Sequence, residues 1–316
     1  MTTDRTPAAE PTPTPPRPGR FGVWANLDRI DLAAILELVA TVEAAGFDAF
    51  WINEGAGTRE PFALLGRLAA ARSRIWLGVG IAQTYARDPL AAHAGALTVH
   101  EATGGRFVMG LGVGHPGPIS AIRGHEYRPP LVEMRAYLDG YRAAAAHYRA
   151  PRPAGEPPLV VAALRRQMLE LAATAADGAF PYLVPLDYVE RARQTVDAAA
   201  AATGRPRPAL VVTQPVVASR EPGVARAAAR AYVARYLAMP AYRTNLLECG
   251  FDEADLADGG SDRLLDALVA WGEPGAIRAR LRAMAEAGAD HVCLVPLATD
   301  GSMPDRGVVE DFAPPW

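Results

Sequence analysis

The chain of 316 residues contains no lysine, and all 32 of its basic side chains are arginine. Chemistry centred on a lysine amine is thereby excluded, and with it Schiff-base aldolases, pyridoxal enzymes and P-loop ATPases. There are only two cysteines, Cys249 and Cys293, with no CxxC spacing, and no secretory leader is expected ahead of them. Two ordinary buried thiols in a reduced, cytoplasmic setting are expected. No apolar run approaches the roughly 18 residues that cross a bilayer, so no membrane association is expected. The formal net charge is -3, without the basic excess of a nucleic-acid binder, and no nucleic-acid partner is expected. No pair of histidines one residue apart lies near the first strand, which disfavours a metal-dependent barrel hydrolase, and no metal is expected. His93 and His100 on one helical pattern and His147 on another read as structural.

What the chain does have is guanidinium charge, suited to holding phosphate or carboxylate in a planar fork. Half of the residues are apolar, enough for one large core. Residues 1–20, rich in proline, threonine and charge, read as a disordered leader. Beyond them, β-rich runs alternate with helical patterns. Phe21 to Asn26 precedes a helix with Ile35, Leu38, Val39 and Val42 on one face and a stop at Gly46. Asp88-Pro89 supplies an N-cap and N1 pair. Eight runs can be counted, beginning at Phe21, Ala49, Ile75, Phe107, Leu159, Ala179, Ala209 and His291. Eight parallel units point to a single (β/α)8 TIM barrel over residues 21–298 rather than an open sheet. A helical excursion from Gly223 to Gly250 is an insertion before the last unit. The tail, 299–316, carries no strand or helix pattern.

In such a barrel chemistry belongs at the C-terminal rim. The fourth strand runs into Gly110-Leu111-Gly112-Val113-Gly114-His115-Pro116. Its glycines would let a flat or phosphorylated ligand lie against the backbone, and a tight rim turn is the competing reading. The GxGxG spacing, followed by a proline-containing loop, is not a dinucleotide fingerprint. His115 could move a proton near neutral pH. His125 lies in the same loop of about 17 residues, long enough to suggest function. Glu54 follows the second strand, where it could meet a polar ring edge or stand as an exposed rim carboxylate. The third strand ends Gly78-Val79-Gly80-Ile81-Ala82-Gln83-Thr84, which fits a bulge or a plain bend. The fifth unit ends Ala163-Leu164-Arg165-Arg166-Gln167-Met168. There, helix amides and two arginines favour an anion.

Together these segments resemble the luciferase-like monooxygenase superfamily of flavin and deazaflavin barrel enzymes, and within it an actinobacterial group of coenzyme F420-dependent oxidoreductases. The carriers are Phe21-Gly22-Val23-Trp24, Trp51-Ile52-Asn53-Glu54, Gly80-Ile81-Ala82 with Ala86-Arg87-Asp88-Pro89, and the run from Gly104 to His115. Met168 to Ala172, Pro181 to Val184, Tyr242 to Leu246 and Ala287 to Cys293 complete the set. The resemblance implies a non-proline cis peptide at Gly80–Ile81 behind the cofactor ring. It also implies ring contacts from Gly80, Ile81, Gln83, Gly112, Val113 and Gly114, and a phosphate loop at Ala163 to Met168. Glu54 would contact the ring's polar edge, and His115 matches a proton-donating position. Tyr182 and His125 are candidates for substrate contact. Two positions depart from the pattern: Gly55 stands where many deazaflavin enzymes carry histidine, and Arg165-Arg166-Gln167 replaces a Gly-Pro loop. The implied activity is hydride transfer between F420 and a small organic substrate. The alternatives are an FMNH2-dependent monooxygenase and, given Gly55, an F420-binding protein without turnover. Barrels of this group often pair, which implies a homodimer.

Overall fold

The computed structural model describes residues 18–71 and 74–315, so the expected leader lies outside the described residues except for its last three. Nine parallel strands form one sheet: β1 (Phe21–Trp24), β2 (Ala49–Asn53), β3 (Trp76–Gln83), β4 (Phe107–Gly112), β5 (Leu159–Ala162), β6 (Gly178–Phe180), β7 (Ala209–Val217), β8 (Ala270–Trp271) and β9 (His291–Leu297). Eight of them close into the expected barrel. β1 to β7 pair in order, β7 pairs with β9, and β9 returns to β1 with Cys293 opposite Gly22. The two-residue β8 only extends the end of β7.

The helices between strands are α1 (Leu32–Ala44), α2 (Pro61–Ala69), α3 (Pro89–Ala102), α4 (Pro116–Ala121), α5 (Pro130–Ala144), α6 (Arg166–Ala175) and α7 (Leu186–Ala202). The Asp31 carboxylate accepts from the Ala34 amide at 2.8 Å and starts α1, which buries Ile35, Leu38, Val39 and Val42 against the sheet. Asp88 caps α3 in the same way, with Pro89 at its first position. The insertion comprises α8 (Pro222–Leu237), α9 (Pro240–Glu248), α10 (Glu253–Leu256) and α11 (Asp262–Leu268), and α12 (Pro274–Glu286) leads into β9. It therefore runs some way past Gly250. Its Tyr232, Tyr236, Tyr242 and Leu246 share one apolar cluster with Trp24, Trp51 and Phe180. The insertion is thus a roof over the barrel mouth, joined to the barrel's own interior.

Inside the barrel, Trp51 is fully buried, and a Cβ on Gly78 would stand 2.3 Å from its indole. The indole Nε1 donates to Nε2 of His291 at 3.0 Å, while His291 Nδ1 faces the Gly19 carbonyl. A carbonyl only accepts, so the proton sits on Nδ1 and the imidazole is neutral. Burial holds its pKa below the ordinary histidine value.

Two expectations are corrected. The tail is not without pattern: α13 (Arg306–Asp311) buries Val308 and Val309 with Phe312 behind it, and Arg306 reaches Glu37 and Thr41 of α1. Six residues give too short a stripe for periodicity to register. The Gly80–Ile81 peptide is trans, and the cis bonds among the described residues are Met303–Pro304 and Pro314–Pro315. The bulge is nevertheless present. Val79 pairs with Met109 and Ala82 with Leu111, so Gly80 and Ile81 stand against the single residue Gly110, and this two-against-one register supplies the bend.

Candidate active site

A cavity of about 430 Å³ opens at the C-terminal ends of β3 to β6 beneath α9, within the size range of small-ligand sites. It brings together Ile81, Val113, Gly114, His115, Ala163, Leu164, Arg165, Arg166, Gln167, Met168 and Tyr182. Residues far apart in sequence thus meet at one rim of the barrel.

The bulge shapes one wall. Its extra residue directs Ile81 into the cavity, and its carbonyls press on Gly110, where a Cβ would lie 2.2 Å from the Val79 oxygen. The neighbouring glycines are packed by the protein itself. A Cβ on Gly112 would meet Ile81 at 2.3 Å, and one on Gly80 would meet Phe180 at 3.0 Å. Gly80, Gly112 and Gln83 therefore stand behind the lining, and the expected close approach of a ligand to their backbone is taken instead by Ile81 and Phe180.

His115 follows Gly114, whose φ of +67° only glycine adopts without strain. It is the N-cap residue of α4, yet its ring makes no capping hydrogen bond. The imidazole is half-buried, lies 5.8 Å from the Tyr242 ring, and has its pKa lowered by desolvation. It is neutral near pH 7, with one nitrogen able to accept a proton and the other able to donate a hydrogen bond.

The opposite end is cationic. Arg165 precedes α6 in extended conformation without a side-chain cap, leaving the first amides of the helix open to an anion. Arg165 bonds Glu248 of α9 at 2.7 Å, and Arg166 bonds Glu170 at 2.8 Å. All four side chains are solvent-accessible, so these pairs are weak and open to competition.

Glu54 is not an exposed rim carboxylate. It is 6% exposed, accepts from both arms of Arg87 at 2.6 and 2.9 Å, and accepts from the Gln83 amide at 2.7 Å. Burial opposes the charge of Arg87, but the bonds to Glu54 outweigh it and its pKa is raised. The carboxylate is fully engaged and stands outside the cavity lining.

Tyr182 lines the cavity, packs 4.7 Å from Trp24, accepts from Tyr236 at 3.2 Å and shares a hydrogen bond with Tyr232. His125 is exposed, rests 5.9 Å from the Tyr85 ring and does not line the cavity. Sequence reasoning missed Tyr127, Leu131, Phe180, Tyr242, Thr244 and Glu248, which also line the cavity. The unusual length of the insertion was the signal for three of them. Tyr127 donates to the Gly114 carbonyl at 3.1 Å, and burial pushes its pKa up to about 12. Cys249 and Cys293 are free thiols outside the site. Among the described residues, no cluster of histidine, cysteine and carboxylate side chains could hold a metal ion, and no helix is long and apolar enough to cross a membrane.

The family model described as luciferase-like monooxygenase matches residues 13–291. A Mycobacterium tuberculosis protein with the provisional name coenzyme F420-dependent oxidoreductase is 34% identical over 125 residues, 36% of each chain. The match thus spans about a third of that relative's length. An F420-dependent secondary alcohol dehydrogenase, solved with an F420–acetone adduct, superposes with a TM-score of 0.76 at 14% identity, over 94% of this chain and 98% of the other. The oxygenating constituent of 3,6-diketocamphane monooxygenase of Pseudomonas putida, solved with FMN, superposes with a TM-score of 0.69 at 16% identity, over 94% and 97%. At these identities the structural likenesses show the fold.

Proposed function

The chain belongs to the luciferase-like monooxygenase family, and within it we propose an oxidoreductase that uses coenzyme F420 to exchange a hydride with a small, largely apolar organic substrate. The observation that carries this reading is the union, in one cavity, of an apolar wall built on the β3 bulge, an imidazole that makes no capping hydrogen bond and a two-arginine helix start. A planar ring with an anionic tail matches both ends of that cavity. Ile81, Val113 and Gly114 would flank the ring, and Arg165, Arg166 and the α6 amides would hold the anionic group. When bound, F420 supplies the hydride.

The chain's own residues do the rest. Tyr182, just after β6, and the roof residue Tyr242 limit the access of water and offer an aromatic surface to the substrate. His115, neutral because it is partly desolvated, accepts a proton from an alcohol or presents its N–H to a carbonyl oxygen. The experiment is an anaerobic assay of reduced F420 with small ketones, imines and activated alkenes. Turnover by the wild-type protein is expected, with a loss of roughly 10²- to 10⁴-fold in His115→Asn at unchanged F420 affinity. Oxygen-dependent turnover with reduced FMN and none with F420 would replace this reading with the monooxygenase. F420 binding without any turnover would leave a binding protein.

A further inference from the structure

His115 poses a question of positioning. Its ring makes no capping hydrogen bond and meets the Tyr242 ring at 5.8 Å, so its direction depends strongly on its backbone, which lies between a left-handed glycine and the six residues of α4. The segment is held at Gly114 by the Tyr127 hydroxyl and within α4 by the buried Ile119, and a further tie lies beyond the helix. The first residue after the helix's C-cap is Arg123, which turns back across the loop to the strand ends. Its Nε donates to Oε1 of Gln83 at 3.1 Å, and its Nη2 lies 3.5 Å from Oε1 of Glu54. Gln83 is itself fixed, because its amide N–H donates to the Glu54 carboxylate and its Nε2 donates to the Glu54 carbonyl at 3.0 Å. The Gln83 amide also abuts Gly114, where a Cβ would lie 3.4 Å from its Cδ. One buried cluster therefore touches the segment immediately before His115 and the residue just after α4.

We propose that Arg123 is a positioning residue for His115: by tying α4 to the buried Glu54–Arg87 pair through Gln83, it fixes the direction in which the imidazole enters the cavity. This rests on the assignment of His115 to proton transfer. It also gives Glu54 a different task from ring contact, as the anchor of the acid–base loop. The other arginine in this loop, Arg128, bonds Glu133 on α5 at 3.0 Å and, among the described residues, makes no hydrogen bond or ion pair with Glu54, Arg87 or Gln83, so it serves as an internal control.

The test compares full-length wild type, Arg123→Met, Arg123→Lys and Arg128→Met. The first readout needs no cofactor: the rate at which diethylpyrocarbonate modifies His115, resolved by peptide mass spectrometry, and the His115 titration followed by NMR. Around the cavity the other charged or titratable groups are Tyr127, Tyr182, Tyr242, Arg165, Arg166 and Glu248, and none is altered. Arg123→Met is expected to raise the modification rate at least threefold and to return the titration towards the ordinary value, with the melting temperature kept within a few degrees. Arg123→Lys should fall between, since lysine restores charge near Glu54 without the guanidinium fork, and Arg128→Met should match wild type. In the F420 assay, Arg123→Met should lower kcat roughly 10- to 100-fold with little change in F420 affinity. An unchanged modification rate and titration in folded Arg123→Met, or an equal effect from Arg128→Met, would overturn the proposal. If wild type does not bind F420, the functional reading fails while the modification and titration arms still decide the positioning role.

Discussion

Arg87 grips both carboxylate oxygens of Glu54, at 2.6 and 2.9 Å, where β2 and β3 leave the barrel. Removing one partner of such a pair leaves a buried charge, at a typical cost of about 3 kcal/mol or more. Glu54→Gln should therefore lose about 3 kcal/mol in urea unfolding, although Glu60, 3.1 Å from Arg87, offers partial relief. A loss below about 1 kcal/mol would indicate that the pair is solvated like a surface bridge.

The Trp51–His291 hydrogen bond makes stability depend on pH. The folded-state pKa of His291 is depressed by burial, so between that value and the unfolded value of about 6.5 the unfolded chain holds the extra proton. Its contribution is complete above about pH 6.5 and falls as pH drops through the folded pKa, at up to about 1.4 kcal/mol per pH unit. Unfolding free energies between pH 7.5 and 5 should show a steeper decline in wild type than in His291→Asn. Parallel profiles would remove His291 from the account.

Gly110 faces the bulge carbonyls, and a methyl group there would lie 2.2 Å from one of them. The obstacle is backbone on a central strand and cannot rotate away, so Gly110→Ala should cost about 3 kcal/mol or more. Gly117→Ala, with nothing within 4 Å of its Cβ, should stay close to wild type. Thermal melts of the two variants decide between this and a tolerant bulge.

The Arg165–Glu248 pair competes with any anion at the start of α6. Because both side chains are exposed, the pair contributes at most about 1 kcal/mol. Glu248→Gln should therefore strengthen F420 binding by up to about fivefold, while Arg165→Ala should weaken it. A weaker complex in Glu248→Gln would mean that the carboxylate orders the roof more than it blocks the site.

The barrel was legible because each of its units carries a local signal: Asp31 and Asp88 as caps, Gly46 as a stop, and the stripe from Ile35 to Val42. The bulge could be read at Gly80 beside Ile81, since glycine next to a branched residue is a local pattern. The partners of Glu54 could not be read, because Arg87 and Arg123 approach it only after three loops have been brought to one rim. Gly80 and Gly112 were read as leaving room for a ligand, whereas Phe180 and Ile81 already occupy that room. What fills space beside a glycine is a tertiary fact. The roof was visible only as surplus length, and its Tyr242 and Glu248 found their place in the cavity through packing with the barrel's own interior.

The central claim is that this cavity accepts F420, and it is tested most directly by titrating the purified, cofactor-free protein with F420 and with FMN in parallel, following fluorescence quenching. Saturable F420 binding is expected, markedly tighter than FMN binding and weakening as salt is raised, since the anionic group would meet Arg165 and Arg166. FMN bound more tightly than F420, or neither bound, would contradict it.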